Sequence, residues 1–218
     1  SIAIGKDVLN SSNNSIAIGF ENTSSNGTQS LDIFGGYKNY IEEGLHSSIF
    51  GGRENIISGS SGVAGNNSIL GGYRNSIHKT SLFNSIIGGS SNTITSSAGG
   101  VTIIGTDNAT IHSKGFYAFA DNLLVGKLST NNIVLGPNNQ VSSSDSFVST
   151  QNVILGNKHN VLNSSKNFVL GQTFSSDDLV TIKSSNESFI YSSAAAFISS
   201  SSQTTAFSNN ITASFVNN

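Results

Sequence analysis

One short phrase recurs along the chain: Ser or Asn, an aliphatic residue, any residue, an aliphatic residue or Gly, then Gly. It reads SIAIG at 1–5 and 15–19, DIFGG at 32–36, SIFGG at 48–52, SILGG at 68–72 and SIIGG at 85–89. Later copies are VTIIG at 101–105, NLLVG at 122–126, NIVLG at 132–136, NVILG at 152–156 and NFVLG at 167–171. Eleven copies in 218 residues put this beyond chance and mark a repeat architecture. The closing glycines are spaced by 14, 17, 16, 20, 17, 16, 21, 10, 20 and 15 residues, and the gap of 10 has no place in the pattern.

A second element follows the phrase. Asn stands three residues after the closing Gly at Asn22, Asn39, Asn55, Asn75, Asn92, Asn108 and Asn139. An aliphatic residue often stands two further on, at Ile41, Ile57, Ile77, Ile94 and Val141. Each unit therefore reads as strand, tight turn, Asn, second short strand, loop. Gly19, Gly36, Gly52, Gly72 and Gly89 are the expected φ > 0 turn positions. Asn22, Asn39, Asn55, Asn75 and Asn92 tolerate the same region and are read as turn residues too. An inward ring of Asn39, Asn55, Asn75 or Asn92 could instead hold water or an anion on an axis. In SIAIG, Ile16 and Ile18 share one strand face and are expected to point inward, with Ala17 outward. The Gly-Gly copies lose a side chain at 35, 51, 71 and 88, which suits close backbone approach. One unit buries too little to fold alone, so the units must stack. Apolar residues at helical spacing are absent, and Gly interrupts at every repeat.

Composition agrees. Only 10% of residues are charged, and Ile, Val, Thr and Phe supply strand formers, so the chain is folded, polar and β-rich rather than disordered. The net charge of −2 offers no field for a phosphate backbone, so no nucleic-acid partner is expected. With no Cys there is neither a disulfide nor a thiolate site. No apolar run reaches membrane-span length, so no membrane insertion by this segment is expected. The chain starts in mid-pattern, at Ser1-Ile2-Ala3-Ile4-Gly5.

Four segments follow: 1–110 as head-type repeats, 111–121 as an aromatic insertion, 122–174 as further repeats and 175–218 as a Phe-rich short-strand shaft. Within the insertion, Phe116, Tyr117 and Phe119 either cover a core edge or form an exposed contact patch. In the last segment Phe189, Phe197, Phe207 and Phe215 fall 8, 10 and 8 residues apart, suggesting a β-prism or triple β-helix with Phe on its axis.

Ser1–Gly5 and Asn14–Gly19 resemble the head repeat of trimeric autotransporter adhesins of the YadA-like type. The Gly-Gly variant with Asn three residues on, as in Gly88-Gly89-Ser90-Ser91-Asn92-Thr93-Ile94, is similar to head-type repeats of phage tail fibres. The resemblance implies an all-β, trimeric, left-handed β-solenoid or β-roll, located extracellularly on a virion or a bacterial surface. It also implies a homotrimer that attaches to a host glycan or protein receptor, or serves as a rigid spacer. The chain departs from the bacterial type in its drifting repeat length and in lacking a basic neck motif, which tilts the reading towards the virion. Longer segments at 20–30, 42–47, 58–67, 78–84 and 111–121 are the expected contact loops.

No phosphate-loop, zinc-protease or calcium-loop phrase is present. His46, His78, His112 and His159 make no HxH or HxxxH pair, so neither a metal nor a cofactor is expected. Adjacent Glu42/Glu43 and Asp177/Asp178 point to opposite strand faces, which argues against a glycosidase dyad. The chain is read as non-enzymatic. A tailspike-like glycan-degrading enzyme with a site between subunits is the alternative, and an ice-binding array fails for want of regular Thr.

Overall fold

The computed structural model describes residues 1–25, 29–42, 44–59, 64–78, 82–95, 99–112, 114–126, 129–142, 149–172, 180–183, 189–192, 196–199, 205–208 and 211–214. Among them there is no helix: the chain is a parallel β-solenoid. It comprises two compact units, Ser1–Thr110 and Ile111–Asn218.

In the first unit the repeat phrase builds one sheet. Its strands are Ile2–Lys6, Ile16–Phe20, Gln29–Tyr37, Gly44–Ile49, Ser68–Leu70, Ser85–Ile87 and Gly99–Ile104. The segment around the following Asn builds the other, through Leu9–Asn10, Thr23–Ser25, Tyr40–Glu42, Ile56–Ser58, Ser76–Ile77 and Thr93–Ile94. Every neighbouring pair is parallel, as successive turns of one winding chain require. The core lies between the two sheets. Ala17, Ile33, Ile49, Ile69, Ile86 and Ile103 enter it from the first sheet, and Ile41, Ile57, Ile77 and Ile94 from the second, all with no exposed surface.

The inward face is the reverse of the one expected from SIAIG. Ala17 is buried, whereas Ile16 and Ile18 lie outward and half-buried. The small side chain inside reflects the register: Ala17 pairs with Ile33 and Ile18 with Phe34. Aligning copies on the closing Gly also fails. Between Ile18 and Phe20 stands one residue, but between their partners Phe34 and Tyr37 stand two, Gly35 and Gly36. The Gly-Gly copies carry an extra residue at the corner, a bulge that the ladder absorbs. In VTIIG the extra place is taken by Thr106, since Ile87 pairs with Ile104 and Ser90 bridges to Asp107.

In the second unit the first sheet holds Lys114–Phe119, Asn132–Leu135, Val153–Asn157, Phe168–Gln172, Phe189–Ser192 and Thr205–Ser208. The second sheet holds Leu124–Val125, Gln140–Ser142, His159–Leu162, Val180–Lys183, Ala196–Ser199 and Ile211–Ser214. Three expectations are corrected here. Residues 111–121 are not a loop insertion, because Phe116–Phe119 pair residue for residue with Asn132–Leu135. Phe116 and Ala118 are core residues, while Tyr117 and Phe119 are outward and exposed. The misfit phrase NLLVG is not a copy of the first strand: Leu124 and Val125 pair with Gln140 and Val141 on the second sheet, which accounts for the gap of 10. The Phe-rich strands are not set apart as a shaft. Phe189–Ser192 pairs with Phe168–Gly171, and Phe197–Ser199 with Thr181–Lys183, so the two-sheet winding continues. Phe189 and Phe207 do not even share a register column, since Tyr191 is the partner of Phe207. Phe215 and the Asp177/Asp178 pair lie outside the described residues.

Candidate functional site: the corner ladder and the outer faces

The Asn residues expected to make turns do something else. Asn22, Asn39, Asn55, Asn75 and Asn92 are buried to within 1%. The left-handed backbone falls on the residue before each: Glu21 (φ 51°), Lys38 (55°), Glu54 (56°), Arg74 (53°) and Ser91 (56°). Each Asn Oδ1 accepts the backbone N–H of the next rung's equivalent, from Asn39 at 2.9 Å through Asn55 at 3.0 Å and Asn75 at 3.0 Å to Asn92 at 3.1 Å. The Nδ2 groups donate to corner carbonyls, as Asn55 does to Gly72 at 3.1 Å and Asn75 to Gly89 at 3.0 Å. A buried side-chain amide is thereby satisfied at both ends, which is the condition for burying it at all. The ladder ends at Ala109, whose N–H donates to Asn92 Oδ1 at 3.0 Å. Asn108 sits one place earlier, at the left-handed position (φ 57°), so its match to the Asn motif was a coincidence of spacing.

Sequence reasoning missed a second ladder. Asn67 Oδ1 accepts from the Asn84 backbone at 3.1 Å, and Asn84 Oδ1 from Val101 at 3.0 Å. The second unit has counterparts. Asn132, Asn152 and Asn167 stack with N–H to Oδ1 distances of 2.9 and 3.0 Å. Asn139 is followed by His159, whose N–H donates to Asn139 Oδ1 at 2.8 Å. The His159 ring places Nε2 3.1 Å from the Gly171 carbonyl and leaves Nδ1 buried without a partner. Burial pushes its pKa below the ordinary value.

Outside the first unit's Asn ladder, the corner carries a second column. Phe20 pairs with Tyr37, Tyr37 bridges to Arg53, and Arg53 to Tyr73. The rings of Phe20 and Tyr37 lie 5.2 Å apart, and the Arg53 guanidinium sits 5.5 Å from the ring centres of both Tyr37 and Tyr73. Lys6, Lys38 and Arg74 approach Phe20, Tyr37 and Tyr73 at 5.1, 5.0 and 4.7 Å. Glu54 accepts from Arg53 at 2.9 Å and from Arg74 at 2.7 Å, and the Arg74 hydrogen bond holds its carboxyl below the usual range. Lys38 pairs with Glu21 at 3.4 Å. Beside this column lies an open pocket of about 490 Å³, lined by Lys38, Tyr40, Glu54, Ile56, Arg74 and Ser76 among others.

The outer face of the first sheet is different. Ile4, Phe34, Phe50, Leu70 and Ile87 form one exposed apolar column in the first unit, with half-buried Ile18 in register between Ile4 and Phe34. The Phe34 and Phe50 rings stack at 5.1 Å. Beside the column runs a strip of glycines. A Cβ added at Gly35, Gly88 or Gly105 would meet no atom within 4 Å, and at Gly51 or Gly71 only a carbonyl at 3.9 Å. Their φ values of 57–83° are left-handed, so a side chain there would carry backbone strain even though the space beside it is open. By contrast, a Cβ at Gly36, Gly52, Gly72 or Gly89 would overlap a carbonyl of the next rung.

His78, exposed just past the strand Ser76–Ile77, lies between two hydroxyls, Ser76 Oγ at 2.8 Å and Ser58 Oγ at 3.3 Å. Among the described residues no group of three His, Cys, Asp or Glu is placed to hold a metal ion. No protein-family profile matches the chain, nor does any curated protein or solved structure.

Proposed function

We propose that the chain is the trimeric, non-enzymatic part of an extracellular attachment fibre, with the outer face of the first sheet turned towards the other two copies. The observation that carries this is an asymmetry between the sheets. First-sheet strands are apolar on both sides: Ile69 inside and Leu70 outside, Val134 inside and Ile133 outside. A strand apolar on both faces is the pattern of a sheet covered on both sides. Second-sheet strands put mainly polar residues outward, such as Thr23, Tyr40, Ser76 and Thr93. A column of exposed apolar residues this long is unusual on a surface left to solvent. Other copies in register would present the same inter-strand spacing of ~4.8 Å and meet it rung by rung. The open glycine strip supports close approach of their backbones.

Such an assembly displays three copies of each surface feature, so weak contacts gain avidity. Its expected receptor is a host-surface glycan or protein, and the drifting repeat length favours a virion tail fibre over a bacterial adhesin. Two variants test the reading. Phe50→Glu should lower the mass in solution from three chains to one, while Ser76→Glu on the second sheet should leave it unchanged. Retention of the assembled protein on bacterial envelopes would place it on a virion, and retention on matrix-coated surfaces would place it on a bacterium. Loss of mass in neither variant would remove the proposed interface.

A further inference from the structure

We infer that the first unit's corner groove binds an acidic glycan strand laid along the solenoid axis, with its anionic groups at Lys38 and Arg74; this rests on the attachment reading. The floor of the groove is stepped: the Tyr40 ring and the Ile56 side chain are partners on adjacent rungs and supply its apolar surface, and Ile56 pairs in turn with the polar Ser76. Adjacent rungs are ~4.8 Å apart, close to the length of one pyranose ring in an extended chain. Successive sugars can therefore rest their C–H faces on successive rungs, one of them on the Tyr40 ring. The rim is charged. Lys38, Glu54 and Arg74 stand on three consecutive rungs and line the same pocket. The two cations are thus about two rungs apart, the spacing of alternate sugars in a disaccharide repeat.

Charge sets the ligand class. This corner carries Lys6, Lys38, Arg53 and Arg74 against Asp7, Glu21 and Glu54, an excess of one cation on a chain whose net charge is −2. Glu54 is occupied by two guanidinium groups, and Glu21 by Lys38. Arg74 spends only its Nε–H on Glu54 at 2.7 Å, so the guanidinium keeps its terminal donors for a carboxylate or sulfate. The aromatic rings at 4.7–5.5 Å hold these cations in place before a ligand arrives. Such pre-ordering reduces the entropy lost on binding. The pocket volume of about 490 Å³ lies within the range of small-ligand clefts.

The test uses calorimetry on the assembled protein with defined hexasaccharides: uronate-bearing, sulfated and sialylated members, and a neutral N-acetylglucosamine hexamer. At least one acidic member should bind, at least 10-fold more tightly than the neutral one, and should weaken as salt is raised. Arg74→Gln and Lys38→Gln should each weaken it about 10-fold, Arg74→Lys less, and Tyr40→Ala comparably, with mass and circular dichroism unchanged. Equal binding of the neutral hexamer, no binding of any acidic member, or unchanged affinity in both Gln variants would overturn the inference. Cell retention separates the two proposals. If Arg74→Gln and Lys38→Gln proteins still hold target cells like wild type, the groove is wrong and attachment stands. Wild-type protein that holds neither cells nor any hexasaccharide would overturn both.

Discussion

The two units solve the outer face of the first sheet differently. In the middle rungs of the first unit, one apolar column (Phe34, Phe50, Leu70, Ile87) is flanked by small polar residues, Ser48, Ser68 and Ser85, and by the open glycine strip. In the second unit there are two apolar columns, Tyr117–Ile133–Val153–Phe168 and Phe119–Leu135–Leu155–Leu170. There the corner has a single glycine, at Gly136, Gly156 and Gly171, and an added Cβ at Gly136 or Gly156 would overlap the next rung's carbonyl. The corner column differs as well. At the left-handed position the first unit pairs Glu21 with Lys38 and Glu54 with Arg74, whereas in the second Asn122 donates to Asn138 at 3.1 Å, and Asn138 to Asn157, one place earlier in its own turn, at 3.1 Å. Inside, both units use the same frame of aliphatic residues and amide ladders. The interior therefore sets the winding, and the exterior is free to vary provided that one face stays apolar.

Two adjacent glycines of one turn, Gly88 and Gly89, should differ most. Gly88→Ala adds a methyl to open space, so the isolated chain should lose only the ~1–2 kcal/mol of a left-handed non-Gly residue. Gly89→Ala drives its Cβ into the Thr106 carbonyl and should cost roughly 4 kcal/mol or more, in the class of backbone-strain mutations. Denaturant midpoints at fixed protein concentration compare the two. If the strip is an interface, Gly88→Ala should also weaken association, which a purely intrachain role would not produce.

Next come the ladders. Asn75→Ala strips a buried backbone N–H and corner carbonyls of their partners, and should cost about 2–3 kcal/mol. The second unit's ladder already contains a defect at His159. Because burial depresses its folded pKa below the unfolded 6.5, the unfolded chain binds the extra proton first. Stability should be full above about pH 6.5 and fall as the pH drops below it. His159→Asn should flatten that part of the profile and raise stability by about 1 kcal/mol, read as the difference between wild-type and variant pH curves.

The smallest effect concerns the left-handed positions. Ser91→Gly should stabilise the first unit by roughly 0.5–1 kcal/mol, because Gly adopts φ 56° without the Cβ penalty. Asn138→Gly in the second unit relieves the same backbone but loses two amide hydrogen bonds, so it should gain less. Equal gains would indicate that the amide column contributes nothing.

Much of the frame was legible in the sequence. The repeat, the two strands per unit and the recurrence of Asn all follow from period and residue type. Which face pointed inward was not legible, because Ile-Ala-Ile offers apolar residues to both sides and only the partner strand decides. Register misled for a related reason: the eye aligns Gly19 with Gly36, whereas the ladder aligns Ala17 with Ile33 and places the extra glycine in a bulge. Residues 114–119 were hidden because their rung carries Ala120 and Leu123 where its neighbours carry Gly136 and Asn139. The groove residues Lys38, Tyr40, Glu54 and Arg74 escaped notice because repeats of 16 to 20 residues separate them. Stacking alone brings them together; a column-by-column alignment of the Gly-Gly copies would have found them.

The proposed trimer covers the apolar outer face of each copy with the other two. Its most direct test is the mass of the purified protein by multi-angle light scattering, before and after mild denaturant. The account predicts a species of three chains that resists dissociation until the strands themselves unfold. A stable, folded monomer with Phe50 and Leu70 open to solvent would contradict it.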